Sequence, residues 1–69
     1  MNVTVNGVEK QLAEGTNISN LLEILALKPE RLAVEVNRQI VRRANWSSTV
    51  LAAGDRIEIV NFVGGGSLD

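Results

Sequence analysis

The chain has 69 residues, 45% of them hydrophobic, with seven basic and eight acidic side chains and a net charge of −1. A domain of this size buries only about 60% of the surface its unfolded chain exposes, which leaves little material for a catalytic pocket and argues against a self-contained enzyme. The near-neutral balance excludes a binder that holds nucleic acid by concentrated positive charge, and Trp46 and Phe62 are too few aromatics for a base-stacking platform.

Val3 and Val5 alternate with Asn2 and Thr4, the period of a half-buried strand. Asn6-Gly7 follows and is the strongest short hairpin signal, because both central residues of a type I′ turn need positive φ. A second strand is therefore expected from about Val8 to Leu12, broken by Glu14-Gly15. Ile18, Leu21, Leu22 and Leu25 then recur at helical spacing, and the spacing predicts a helix over 17–27. Thr16 or Asn17 supplies its N-cap. Neither is followed three residues later by Glu or Gln, so no capping box is expected. Pro29 is expected to stop this helix, since it drives the residue before it out of the helical region. Ile24 and Leu27 either widen the buried face or reach its rim.

LAVEVN alternates again, with Leu32, Val34 and Val36 on one side and Ala33 and Glu35 on the other. Asn37-Arg38 reads as a turn and Gln39 to Arg42 as a short strand. The stretch from Ala44 to Asp55 is irregular, with room for one helical turn, and Ala53-Gly54-Asp55 closes it as a tight turn. RIEIVNFV, from Arg56 to Val63, is the most strand-like segment. Ile57 and Ile59 are expected to face inward, with Val60 and Phe62 on the opposite face. So many apolar residues on both faces place this strand in the middle of the sheet, parallel to the first. One helix across a mixed sheet of four to five strands is an α+β roll, here in the order of the β-grasp, or ubiquitin-like, fold. Residues 1–63 make that domain and residues 64–69 a flexible glycine-rich tail.

Cysteine and histidine are both absent. Disulfides, cysteine nucleophiles, the usual zinc ligands and the commonest general base go with them, and neither a metal nor a bound cofactor is expected. No apolar run approaches the ~18 residues of a membrane helix, and the polar N-terminus opens directly on a strand pattern rather than a signal peptide. The expectation is a cytoplasmic protein with neither nucleic acid nor membrane as a partner. Glu35 and Glu58 lie on strands, but the sequence gives neither a second carboxylate, a ligand or a base to converge with, so both read as solvated.

The chain ends VGGGSLD. Such a tail is also how an inert linker is written. Hung from an apolar central strand, however, it is an arm anchored at one end, and glycine without a Cβ can enter a narrow channel. Were Gly66 the terminus, its α-carboxylate would be the best chemical handle in a chain with no Cys or His. A carboxylate is a poor acyl donor until another enzyme activates it, most simply as an acyl adenylate made with ATP.

VNRQIVRRANW and LAAGDRIEIVNFVGGG, together with the NGVEKQL hairpin and the ISNLLEIL helix, resemble the ThiS-type sulfur carriers of thiamine biosynthesis over nearly the whole chain. The most specific portion runs from Gly54-Asp55 through Ile57, Glu58, Ile59, Val60 and Phe62 to Gly65-Gly66. The resemblance implies a carrier that is a protein co-substrate, not an enzyme. Its C-terminal glycine is adenylated by an E1-like, ThiF-type adenylyltransferase that uses ATP. A sulfur donor enzyme supplies persulfide sulfur, and the resulting thiocarboxylate serves a ThiG-type thiazole synthase that builds thiazole phosphate. By position Gly66 matches the sulfur-bearing residue, with Gly64 and Gly65 threading the arm.

Arg42 stands where many members have proline, and Ser67-Leu68-Asp69 extend beyond the glycine pair at which members generally end. A Gly66-Ser67 peptide bond leaves no carboxylate on Gly66, so activity is expected only once Gly66 is the end. Val60 and Phe62 are candidate docking residues beside the arm. Arg38, Arg42 and Arg43 read as a solvated face, or else steer an acidic partner, and Trp46 reads as a plug under the long loop. Two other functions fit the residues: a sulfur carrier for another pathway, such as molybdopterin or a natural product, and a ubiquitin-like binding module with an inert tail.

Overall fold

In the computed structural model, which describes residues 1–62, the alternating valines make β1 (Asn2–Val5) and the turn that follows it returns β2 (Val8–Gln11) antiparallel. Asn6 and Gly7 sit at φ 50° and 80°, the positive values that the turn demands. Helix α1 (Ile18–Ile24) comes next, then a 3-10 turn (Pro29–Arg31), β3 (Leu32–Val36), β4 (Gln39–Val41), a second 3-10 turn (Arg43–Asn45) and β5 (Arg56–Asn61). The five strands form one sheet in the order β2-β1-β5-β3-β4. β5 is central, parallel to β1 and antiparallel to β3, as its apolar run predicts.

The inward residues of the sheet meet one face of α1. Val3, Val5, Val34 and Ile57 are buried from the strands, Ile18, Leu21 and Leu22 from the helix, and Leu12, Leu32, Trp46 and Leu51 close the ends of the same cluster. Ile59 and Val36 pack against it half-buried. Ile24 points away, 63% exposed.

Two expectations about α1 are corrected. A capping box is present: the Asn20 N–H donates to Asn17 Oδ1 at 2.7 Å, and the Asn17 N–H donates to Asn20 Oδ1 at 3.4 Å. Asparagine at the third helical position does the work usually given to Glu or Gln. The helix also stops before Pro29, and spans 18–24 rather than 17–27. Ala26 takes φ 58°, its N–H donates to the Glu23 carbonyl at 3.0 Å, and the Leu27 N–H donates to the Leu22 carbonyl at 3.0 Å. That pair of bonds is a Schellman closure, and Pro29 instead opens the 3-10 turn, where its missing N–H costs nothing. Left-handed backbone costs a non-glycine residue about 1–2 kcal/mol. Ala26→Gly is therefore expected to stabilise the fold by about 0.5–1 kcal/mol after glycine's larger unfolded entropy is deducted. Urea unfolding measures this, and a lowered midpoint would show that Ala26 carries no strain.

The strand ends lie slightly inside the expected ones. β2 ends at Gln11, β4 at Val41 and β5 at Asn61.

Candidate functional site

The expected site lies at the end of β5, so what holds that strand decides where the tail begins. Alternation along β5 directs the main-chain groups of Arg56, Glu58, Val60 and Phe62 toward β3. On that side the Asn37 N–H donates to the Arg56 carbonyl at 2.8 Å, and the Phe62 N–H donates to the Arg31 carbonyl at 2.9 Å. The groups of Ile57 and Ile59 face β1 instead.

An asparagine in each flanking hairpin turn reinforces β5 at opposite ends. Asn37, at φ 52°, accepts the Arg56 N–H on Oδ1 at 3.0 Å and donates from Nδ2 to Asp55 Oδ1 at 3.0 Å. Asn6 accepts the Ile59 N–H on Oδ1 at 2.8 Å and donates from Nδ2 to the Ile59 carbonyl at 3.2 Å. The placement follows from topology: β1 runs parallel to β5 and delivers its turn to the far end, while β3 runs antiparallel and delivers its turn to the near end. Sequence reading takes both asparagines as turn formers and misses the second use. The signal lay in their identity, since a turn needs positive φ but a strand edge needs a carboxamide.

Val60 lies on the face away from α1, 57% exposed, and Phe62 is half-buried. On the same outward face of β3, Ala33 is paired with Val60 and Glu35 with Glu58. Glu35 and Glu58 are thus register partners directly across β3 and β5. Each had looked isolated because the register between distant strands is not written in either strand alone. Like charges directly opposite oppose the pairing, so the outer face carries an acidic pair beside its exposed apolar residues.

Trp46 is a core plug, 4% exposed, with its indole N–H donating to the Val41 carbonyl at 2.8 Å. The cluster of three arginines is divided: Arg43 donates to the Glu30 carbonyl at 3.0 Å and lies over the Trp46 ring at 5.6 Å from its centroid, while Arg38 and Arg42 are exposed. A hollow of about 240 Å³ opens between α1 and the 3-10 turns, lined by Ser19, Leu22, Glu23, Leu27, Pro29 and Trp46. Of these only Glu23 is ionisable. Among the described residues no group of acidic side chains is placed to hold a metal, and no helix is long and apolar enough to cross a membrane. Gly64, Gly65 and Gly66, the expected reaction arm, lie outside the described residues, as do Ser67, Leu68 and Asp69.

A helix held by a five-stranded mixed sheet, with the last strand central and parallel to the first, defines a ubiquitin-like β-grasp domain. The model of the ThiS family matches residues 3–66, and the chain belongs to that family. A thiamine biosynthesis protein (ThiS) from Geobacter metallireducens has the same fold, with a TM-score of 0.84 and 36% identity over 96% of this chain and 100% of that one. The sulfur carrier protein ThiS of Escherichia coli K12 is 32% identical over 96% of this chain and 100% of its own length. A thiazole synthase from Magnetococcus marinus is 39% identical over 96% of this chain, which spans only 20% of that protein.

Proposed function

We propose that this domain is a sulfur carrier whose cargo rides on the Gly66 carboxyl once residues 67–69 are absent. The observation that supports it most is the central position of β5 in a chain of this family: a strand gripped on both edges leads, within a few residues, into Gly64, Gly65 and Gly66. A rigid body joined to side-chain-free residues can hand its end into another enzyme's active site, where glycine permits close approach.

The chemistry belongs to partners. A ThiF-type adenylyltransferase joins the Gly66 carboxylate to the α-phosphorus of ATP and releases pyrophosphate. Sulfur from a donor enzyme's persulfide then attacks the acyl carbon and displaces AMP. A second thiol then attacks the donor enzyme's sulfur, forms a disulfide with it and releases the thiocarboxylate. Thiazole synthase is the proposed recipient, in thiazole phosphate formation for thiamine biosynthesis. The resemblance of a Magnetococcus marinus thiazole synthase segment to this chain supports that choice. Val60 and Phe62 are the proposed docking residues, and the neighbouring Glu35 and Glu58 favour a partner that brings a basic side chain to the same face.

The test is an intact mass. The chain ending at Gly66, incubated with a ThiF-type enzyme, ATP and a persulfide donor, is expected to gain about 16 Da as sulfur replaces oxygen at the activated acyl group. An unchanged mass, under conditions that modify the E. coli carrier, would sink the proposal and favour a binding module with an inert tail.

A further inference from the structure

β5 outlasts its neighbour on one side. Beyond the paired residues of β1 and β5, the Thr4 N–H donates to the Asp55 carbonyl at 3.0 Å and the Asn6 N–H to the Ile57 carbonyl at 2.9 Å, and β1 then turns away at Asn6-Gly7. The next rung is made by a side chain. The Asn6 carboxamide takes the Ile59 N–H at 2.8 Å and gives its own N–H to the Ile59 carbonyl at 3.2 Å. A carboxamide offers a carbonyl acceptor and an N–H donor side by side, as a peptide group does, so it substitutes for the strand residue that β1 lacks. The next groups facing that way are those of Asn61, two residues on. Among the described residues nothing from β1 reaches them, and Phe62 is bonded only to Arg31 on the β3 side. Ile59 is thus the last point among the described residues at which β5 is gripped from both edges.

We propose that Asn6 is a positioning residue for the reaction at Gly66: it fixes the root from which the arm reaches its partner. The inference rests on the carrier reading above. Without the carboxamide, the last two-sided rung retreats from Ile59 to Ile57, a distance of about 7 Å along a strand. Beyond Ile57, β5 is then held by β3 alone, so Phe62, the last described residue, is fixed less firmly, and the end of the chain seats in a partner less often. The cost falls on encounter and seating, because a seated Gly66 meets unchanged chemistry. Loss of Asn6 therefore raises KM and spares kcat.

The plainer alternative is that Asn6 serves only the turn. Two substitutions separate these roles, because Gly-Gly and Asp-Gly both suit the same positive-φ hairpin. Asn6→Gly keeps the turn and removes both bonds. Asn6→Asp keeps the turn and an acceptor, but sets a carboxylate oxygen against the Ile59 carbonyl until acid restores a proton to donate.

The experiment uses the folded chain ending at Gly66 as wild type, Asn6→Gly and Asn6→Asp. Amide exchange is followed by NMR, and steady-state kinetics are measured with a ThiF-type enzyme. For Asn6→Gly, protection of the Ile59 amide should fall about tenfold from the loss of its hydrogen bonds, with Val34 as the unchanged reference for global opening, and KM should rise several-fold at constant kcat. For Asn6→Asp, Ile59 protection should recover as pH falls through the carboxyl range, a signature that a turn role alone does not produce. Wild-type protection of Ile59 in Asn6→Gly overturns the proposal, and so does lowered protection with an unchanged KM. If the wild-type chain is not activated at all, the carrier reading fails and takes this role with it, while the exchange data still report the clamp.

Discussion

Trp46→Ala is expected to destabilise the domain by about 3–5 kcal/mol, the largest loss from any single truncation in its core. The indole is the largest side chain in a small core, and it joins elements that otherwise meet little. The indole N–H donates to the Val41 carbonyl at the end of β4 at 2.8 Å, while the Trp46 main chain accepts the Ser19 N–H of α1 at 3.4 Å and donates to the Arg43 carbonyl at 3.1 Å, which seats the ring between them. Truncating a buried aromatic costs about 3–5 kcal/mol. Native domains hold about 0.05–0.15 kcal/mol per residue, roughly 3.5–10 kcal/mol for this chain, so one substitution removes from about a third to all of the margin. Trp46→Phe separates the contributions: it keeps most of the apolar volume but leaves the Val41 carbonyl without its donor, at about 1–2 kcal/mol. Far-UV circular dichroism in urea is the measurement, because the sole tryptophan is the residue being changed. A loss below about 1 kcal/mol for Trp46→Ala would contradict its place in the core.

The second large effect is all-or-none. With Ser67, Leu68 and Asp69 attached, the chain should gain no sulfur at Gly66 in the assay that converts the chain ending there. A peptide carbonyl has no anionic oxygen to attack ATP, and the terminal carboxylate belongs to Asp69, roughly 10 Å further along an extended chain. That terminus also bears a side chain where the proposed acceptor residue, glycine, has none. Mass spectrometry of both forms in one reaction supplies its own control. Thiocarboxylate on the longer chain would show that Gly66 is not the acceptor and would move the proposed site.

Much of the fold was legible because burial imposes a simple period. Val3 and Val5, Leu32, Val34 and Val36, and Ile57 and Ile59 face the core as their alternation predicts. The central place of β5 followed from its apolar residues on both faces. What was missed depends on information that the local pattern does not contain. The capping box uses Asn20, outside the usual Glu or Gln. The helix ends on a left-handed alanine, where glycine would have announced the stop. The meeting of Glu35 with Glu58 is a matter of register between strands far apart in sequence. The proposed arm, Gly64 to Gly66, lies outside the described residues, and Asn6 reads in the sequence as a turn former alone. Only the parallel arrangement of β1 and β5 brings that turn to Ile59.

The Asn6 clamp also has a lifetime. Gly7 leaves the peptide nitrogen after Asn6 unshielded, and that nitrogen can attack the carboxamide carbon, expel ammonia and close a succinimide ring that water reopens as an acid. The carboxamide must first let go of Ile59, to which both of its ends are bonded, so the closed clamp slows its own ageing. Asn37, followed by Arg38, has a bulkier neighbour on the attacking nitrogen. On storage, ammonia loss is expected at Asn6 before Asn37, and peptide mapping of aged protein would read the order directly. A chain altered at residue 6 would keep its core but lose its grip on β5, so the age of a preparation would register first at the strand that carries the tail.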